Sequence, residues 1–196
     1  ARVRYDMSAG VVDEVGKLVG FWLSGVDSIR DVPTSHNAGT AIIPAYRSRG
    51  LAGRMYEFTR QKLEAEGIFR YTLEVIKENT RAIRAYEKMG YRIMRELKCL
   101  RAPLAPIPLP EGIEIRQTPS PNWQAYTTWW TFQPSWEHLP SAVEALGELA
   151  QTWEMWDHDT RVGYACLKPD TGHLLQLVIE PNHRRKGYGK LLAHFC

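Results

Sequence analysis

The sequence predicts an α/β protein in two units, and three observations point to it. A proline-dense segment, Arg101-Ala-Pro-Leu-Ala-Pro-Ile-Pro-Leu-Pro-Glu-Gly112, holds four prolines between 103 and 110. Proline at that density removes backbone donors and keeps the chain extended, so 103–111 reads as a stiff linker between units 1–102 and 112–196. On both sides of it, apolar runs of strand length alternate with stretches of helical period. Finally, one design of strand, proline, basic cluster, glycines and helix occurs twice, 137 positions apart from Arg47 to Arg184. An internal repeat is the simplest source of such a pair.

In the first unit, Lys17–Leu23 is apolar and branched enough for a strand. Gly39-Thr-Ala-Ile-Ile-Pro44 reads as a short buried strand stopped by its proline. Arg49–Glu66 reads as a helix with Leu51, Met55, Phe58 and Leu63 inward, ended by Gly67. Tyr71–Ile76 alternates, with Leu73 and Val75 opposite Thr72 and Glu74. Asn79 suits the cap of a helix whose inner stripe is Ala82, Ala85, Tyr86 and Met89, and Gly90 suits its end. A further strand is expected from Tyr91 onward.

In the second unit, Gly112–Gln117 reads as a strand and Asn122–Phe132 as an aromatic-rich helix. Ser141-Ala-Val-Glu144 has the spacing of a capping box, opening a helix toward Thr152. Strands follow at Arg161–Leu167 and His173–Ile179, and a helix starts after Gly187. His36 reads as a turn histidine before its strand, and Asp157-His158-Asp159 as a solvated hairpin turn without metal-ligand spacing, so no metal is expected.

Composition sets the outer limits. The chain has 196 residues, 44% hydrophobic and 24% charged, which is ordinary for a globular protein. Its longest uncharged run, from Gln117 to Trp136, contains Pro119, Pro121 and Pro134 and is too polar for a bilayer span. Residues 1–8 are charged and no apolar core follows, so no signal peptide is expected. The three cysteines, Cys99, Cys166 and Cys196, fit neither a disulfide framework nor a zinc site, which points to a reducing cytoplasm. Residues 1–102 carry 18 Lys/Arg against 12 Asp/Glu, a balance of +6, whereas residues 103–196 carry 7 against 10. A modestly basic first unit suits a small anionic ligand, and equally a nucleic acid.

The two repeated stretches sharpen that choice. Ile42-Ile43-Pro44 leads to Arg47-Ser-Arg-Gly50-Leu-Ala52-Gly53, and Val178-Ile179-Glu-Pro181 leads to Arg184-Arg-Lys-Gly187-Tyr-Gly189. Glycines let backbone N–H groups turn toward a ligand, and a helix N-terminus adds about half a positive charge. With arginine beside them, the expected guest is a pyrophosphate. Neither stretch has the spacing of a P-loop or a dinucleotide fingerprint.

The pattern Arg-x-x-Gly-x-Gly/Ala after a strand, as in Arg47-x-x-Gly50-x-Ala52 and Arg184-x-x-Gly187-x-Gly189, resembles the acyl-CoA motif of the GNAT N-acetyltransferase superfamily. Downstream of the first copy, Leu73-Glu-Val75…Asn79-x-x-Ala82-x-x-x-Tyr86-Glu-Lys-x-Gly90-Tyr91 is similar to that superfamily's next motif. The resemblance covers nearly the whole chain and implies two GNAT-type domains. Each would be a mixed sheet flanked by helices, the first without the fold's opening elements and the second without its closing ones.

The resemblance also implies roles. Acetyl-CoA would be the acyl donor and an amine the acceptor, with no metal. Ile42 and Ile43 would turn backbone N–H groups toward the thioester. Arg47, Arg49, Gly50, Leu51, Ala52 and Gly53, with Asn79, would bind the donor in the first unit; Arg184, Gly187 and Gly189 would do so in the second. Tyr86 would protonate the departing thiolate, and Glu74 is the candidate base. Each has a plainer reading: Tyr86 lies on an apolar stripe and Glu74 could be a structural carboxylate. A non-catalytic acyl-CoA-binding or regulatory module is the main alternative, and a nucleic-acid binder stands behind it. No partner beyond donor and amine is implied, neither nucleic acid nor membrane, and oligomeric state is open.

Overall fold

The computed structural model describes residues 2–196. The chain forms two compact units, Ala1–Glu96 and Leu97–Cys196. Each holds a four-stranded sheet flanked by helices.

In the first unit the strands are β1 (Ala9–Val12), β2 (Leu18–Ile29), β3 (Val32–Ile42) and β4 (Arg70–Leu73), in that spatial order. The pairs β1–β2 and β2–β3 are antiparallel, and β3–β4 is parallel. Helix α1 (Leu51–Ala65) makes the crossover between the parallel strands, and α2 (Thr80–Lys88) follows β4. Asn79 caps α2 by accepting the Ala82 N–H at 3.2 Å, as its sequence position implies.

Three expectations change here. Phe58 is 51% exposed, with the Lys62 ammonium over its ring, and the inward stripe of α1 is instead Met55, Thr59 and Leu63. That i, i+4, i+8 spacing drifts along one helix face, which leaves position 58 a full side-chain width away. His36 is not in a turn: β3 begins seven residues earlier than Gly39 and buries Thr34, Ser35 and His36. The polar character of those buried positions hid the strand. The expected strand after Tyr91 does not form, since residues 91–110 have no regular structure and pair with no strand among the described residues.

Strand β4 is also shorter than Tyr71–Ile76. Its pairing with β3 runs from Thr34↔Arg70 to Asn37↔Leu73 and stops. The β2–β3 register shifts between Leu23↔Gly39 and Ser24↔Asn37, which leaves Ala38 as an extra residue in β3. A bulge bends and twists its strand. It sits one residue past the last β3–β4 pair, so the two parallel strands splay at their C-terminal ends.

The second unit holds a sheet of its own. Strands β5 (Ile113–Thr118), β6 (Gln151–Asp157), β7 (Thr160–Lys168) and β8 (His173–Ile179) pair in order, all antiparallel. Helices α3 (Trp123–Thr128) and α4 (Pro140–Ala145) precede β6, and α5 (Tyr188–Phe195) follows β8. The capping box at Ser141 is absent. Leu139 is the N-cap without a side-chain bond, because Pro140 has the fixed φ that opens a helix at its first position. The helix expected to run toward Thr152 ends at Ala145, a 3-10 turn follows at Gly147–Leu149, and β6 begins at Gln151, burying Thr152 and Glu154. Asp157-His158-Asp159 does form the β6–β7 hairpin turn, with His158 at φ +53°.

The offset of 137 seen in the motifs extends to the backbone. In the second unit the register shifts between Cys166↔Gln176 and Leu167↔Leu174, which leaves Leu175 as the extra residue. Leu175 is the counterpart of Ala38. Gly20 opposite Ile42 also matches Gly163 opposite Ile179, although the glycines themselves lie 143 positions apart, because the connection between the paired strands is shorter in the second unit. Both glycines sit where strands approach closely. A Cβ would stand 3.1 Å from the Ala41 carbonyl oxygen at Gly20, and 2.8 Å from the Val178 carbonyl oxygen at Gly163.

Candidate functional site

The loop between β3 and α1 is built from its own chain. Pro44–Tyr46 forms one 3-10 turn, then Arg47 folds back so that its Nε donates to the Ile42 carbonyl oxygen at 2.8 Å. Arg49 donates to the Ala45 carbonyl oxygen at 3.0 Å, and its guanidinium lies 4.9 Å from the Tyr46 ring centroid. Ser48 and Gly50 both take the left-handed conformation, at φ +64° and +72°. The second loop is the same object. Pro181–His183 forms the 3-10 turn, and Arg184 Nε donates to the Ile179 carbonyl oxygen at 2.9 Å. Arg185 and Gly187 take φ +65° and +90°. Arg47 and Arg184, expected to meet a ligand, thus spend one donor on holding their loops in shape.

What remains open is backbone. In α1 the Arg54 N–H bonds the Gly50 carbonyl oxygen at 3.1 Å, and no side chain caps the helix, so the N–H groups of Leu51, Ala52 and Gly53 precede the first intrahelical bond. A Cβ at Gly50 or Gly53 would meet nothing within 4 Å. No acidic side chain lies in that first turn. In α5 the Tyr188 and Gly189 N–H groups stand likewise before Lys190, which bonds Gly187 O at 3.0 Å. Such a helix start is a cradle for an anion of phosphate size.

The splayed strands supply the next part, with one correction. The Ile43 N–H donates to the Val19 carbonyl oxygen at 3.0 Å, within the sheet, so it does not face a ligand. N–H directions alternate along a strand. The Ile42 and Thr40 N–H groups therefore point to the opposite edge, where β4 has left. Thr40 was not anticipated, because only the observed register fixes the alternation. Glu180 N–H repeats the Ile43 bond, to Val162 O at 2.9 Å.

Since β3 and β4 run parallel, the loop and Glu74 lie at the same end of the sheet. Glu74 is exposed and stands one residue beyond β4, outside the ladder that the sequence assigned to it. Tyr86 sits on α2, half-buried, its ring edge-on to Trp22 at 6.2 Å and to Tyr91 at 6.0 Å. Tyr56 joins this cluster against Trp22, Tyr71 and Tyr91. Burial pushes the Tyr71 hydroxyl up to about 12 and raises Tyr91 further. Asn79 accepts the Ala82 N–H with its side-chain oxygen, which holds its amide at the start of α2. His36 lies deeper, with Nδ1 3.1 Å from Thr72 Oγ1; burial first, then the Arg2 charge, lower it to about 4.

Arg81 was also not singled out from sequence. It reaches from the first turn of α2 to donate to Ser48 Oγ at 2.9 Å, a link across 33 residues that no local pattern signals. In the second unit Arg184 reaches the Trp129 carbonyl oxygen at 2.5 Å, tying its loop to the end of α3. Behind it Tyr126 donates to Glu154, which also accepts from Arg161 at 2.7 Å. The stacked Tyr126–Tyr164 rings show that the tryptophan-rich half is packed as core around polar links. Among the described residues, no group of three or more His, Cys, Asp or Glu is placed to hold a metal. Among those residues, too, no helix is long and apolar enough to cross a membrane.

The chain is similar to known proteins in both units. The model of the acetyltransferase (GNAT) family matches residues 3–91 and 118–196, one segment in each unit. Among solved structures, a tetramutant of BH1408 from Bacillus halodurans is 19% identical, with TM-score 0.44, over 48% of this chain and 65% of that one. AAC(6')-Iy, solved with the bisubstrate analogue CoA-S-monomethyl-acetylneamine, is 18% identical, with TM-score 0.43, over 49% and 68%. A Trypanosoma brucei acetyltransferase is 17% identical, with TM-score 0.42, over 48% and 68%. The chain thus spans just under two thirds of the BH1408 protein's length. With both units matched by the family model, the chain belongs to the GNAT acetyltransferase family.

Proposed function

We propose that the chain is an acetyl-CoA-dependent N-acetyltransferase acting on a primary amine, with its first unit as the catalytic one. The observation that carries this reading is the meeting, at one end of one sheet, of an open helix start, two splayed parallel strands and the helix bearing Tyr86. The N–H groups of Leu51, Ala52 and Gly53 take the donor's pyrophosphate, with Arg47 and Arg49 supplying charge. The Thr40 and Ile42 N–H groups bond the thioester oxygen, which becomes an oxyanion when the amine attacks. Glu74 accepts the amine proton, directly or through water. The amine nitrogen bonds the carbonyl carbon, the C–S bond breaks, and the Tyr86 hydroxyl gives the thiolate its proton. A thiol of pKa about 8.5 is a fair leaving group, so a phenol serves without a large shift. The reading includes a cytoplasmic setting, where the free thiols of Cys99, Cys166 and Cys196 stay reduced.

A thermal-shift titration with acetyl-CoA, followed by thiol release over a panel of amines, tests the proposal. Binding with turnover on at least one amine is expected. Binding without turnover on any would leave an acyl-CoA-binding module, and no binding would overturn both. A salt-steep affinity for DNA or RNA that acetyl-CoA leaves untouched would instead indicate a nucleic-acid binder.

A further inference from the structure

We infer that Arg81 is a phosphate-contacting residue of the first unit, which exchanges its bond to Ser48 for one to the donor's phosphates and so ties α2 to the loaded loop. This rests on the acetyl-CoA reading above. Two independent observations support it. First, Arg81 comes from outside the loop. Arg47 and Arg49 bond loop carbonyls, whereas Arg81 extends from α2 onto Ser48 Oγ, two residues before the Gly50 cradle. Both Arg81 and Ser48 are exposed, and a neutral hydroxyl is a weaker acceptor for a guanidinium than a phosphate oxygen. The exchange therefore runs downhill when an anion settles on the neighbouring N–H groups.

Second, the repeat shows what this corner of the loop requires. The residue 137 positions after Ser48 is Arg185, and the two share a left-handed backbone, φ +64° and +65°. Non-glycine residues take this conformation only at a cost, yet both loops keep a side chain there. In the second unit the loop supplies the guanidinium itself. In the first, a serine holds the place and α2 brings the guanidinium to it. Arg185 thus carries in its own side chain the kind of group that Ser48 receives from Arg81, and in the first unit that bond links the loop to the helix bearing Tyr86.

The test is calorimetric, in a Gly187→Glu chain so that the first loop is read. Acetyl-CoA is compared with S-acetylpantetheine, which keeps the thioester and lacks the phosphates. Arg81→Gln should weaken acetyl-CoA about tenfold and leave S-acetylpantetheine unchanged, as expected for one charge-assisted bond. The double variant Ser48→Arg/Arg81→Gln, which reproduces the arrangement of the second unit, should recover most of the loss. Equal weakening of both ligands would make Arg81 a mere strut and overturn the inference, as would unchanged acetyl-CoA affinity in Arg81→Gln. No acetyl-CoA binding by the Gly187→Glu chain itself would overturn the proposed function and this inference with it.

Discussion

Replacing Gly50 separates the backbone of the cradle from its charge. At φ +72° a residue with a Cβ costs about 1–2 kcal/mol relative to glycine. Nothing lies within 4 Å of the added carbon, so sterics contribute no more. Gly50→Ala should thus fold with a melting temperature lower by about 2–8 °C, and bind acetyl-CoA within a few-fold of the unmodified chain. Gly50→Glu carries the same backbone cost and adds a carboxylate beside the N–H groups of residues 51–53. At an effective dielectric near 20 and a separation of roughly 5 Å, each unit charge on the pyrophosphate meets about 3 kcal/mol of repulsion. Because the position is exposed, solvent and salt reduce that to on the order of 1–3 kcal/mol, or about 5- to 150-fold in affinity. Titration calorimetry at low and high salt reads both terms, and the penalty in Gly50→Glu should shrink as salt rises. If Ala and Glu weaken binding equally, or if Glu binds within twofold of the unmodified chain, the cradle assignment is wrong.

Three further outcomes follow from particular contacts. Tyr86→Phe keeps the ring against Trp22 and Tyr91 and removes only the hydroxyl, so turnover should fall about 10²-fold or more while acetyl-CoA affinity and melting temperature hold; unchanged turnover where chemistry limits the rate would return Tyr86 to the core. Gly163→Ala drives a Cβ to 2.8 Å from the Val178 carbonyl oxygen and should cost about 1–3 kcal/mol by denaturant titration, more than Gly20→Ala, whose Cβ would sit 3.1 Å from the Ala41 carbonyl oxygen; the reverse order would refute the close approach. His36 has a folded pKa of about 4 against 6.5, so the unfolded chain binds the proton first as pH falls. Its share of stability is complete above pH 6.5 and is lost toward pH 4, on the order of 3 kcal/mol, and His36→Gln should flatten that part of the stability–pH curve. An identical curve in the variant would refute it.

What the sequence made legible is what short-range rules encode. Gly50 and Gly187 announce helix starts with a left-handed residue at the cap, Asn79 announces its own cap, and an apolar run marks β8 to the residue. The two strands that were missed or cut short share one cause, which is that polar side chains were assumed to face water. Thr34, Ser35 and His36 hid the first half of β3, and Thr152 and Glu154 hid β6; all five are buried, and His36 and Glu154 meet partners from another strand or helix, Thr72 and Tyr126. The site followed the same division. The loops could be read as motifs, whereas the bond of Arg81 to Ser48, the sheet bond taken by Ile43 and the outward turn of Thr40 depend on register and on residues far apart in sequence.

The arginine that bonds the end of its own strand, Arg47 to Ile42 and Arg184 to Ile179, has a thermodynamic consequence. The entropy lost in shaping each loop is charged to folding and not to association, so the incoming anion meets donors already aimed and gives up mainly its own freedom. Affinity is then coupled to the integrity of the strand end. A lesion that loosens β3 near Ile42 returns that entropic cost to the binding step and weakens the grip, even with every donor of α1 intact.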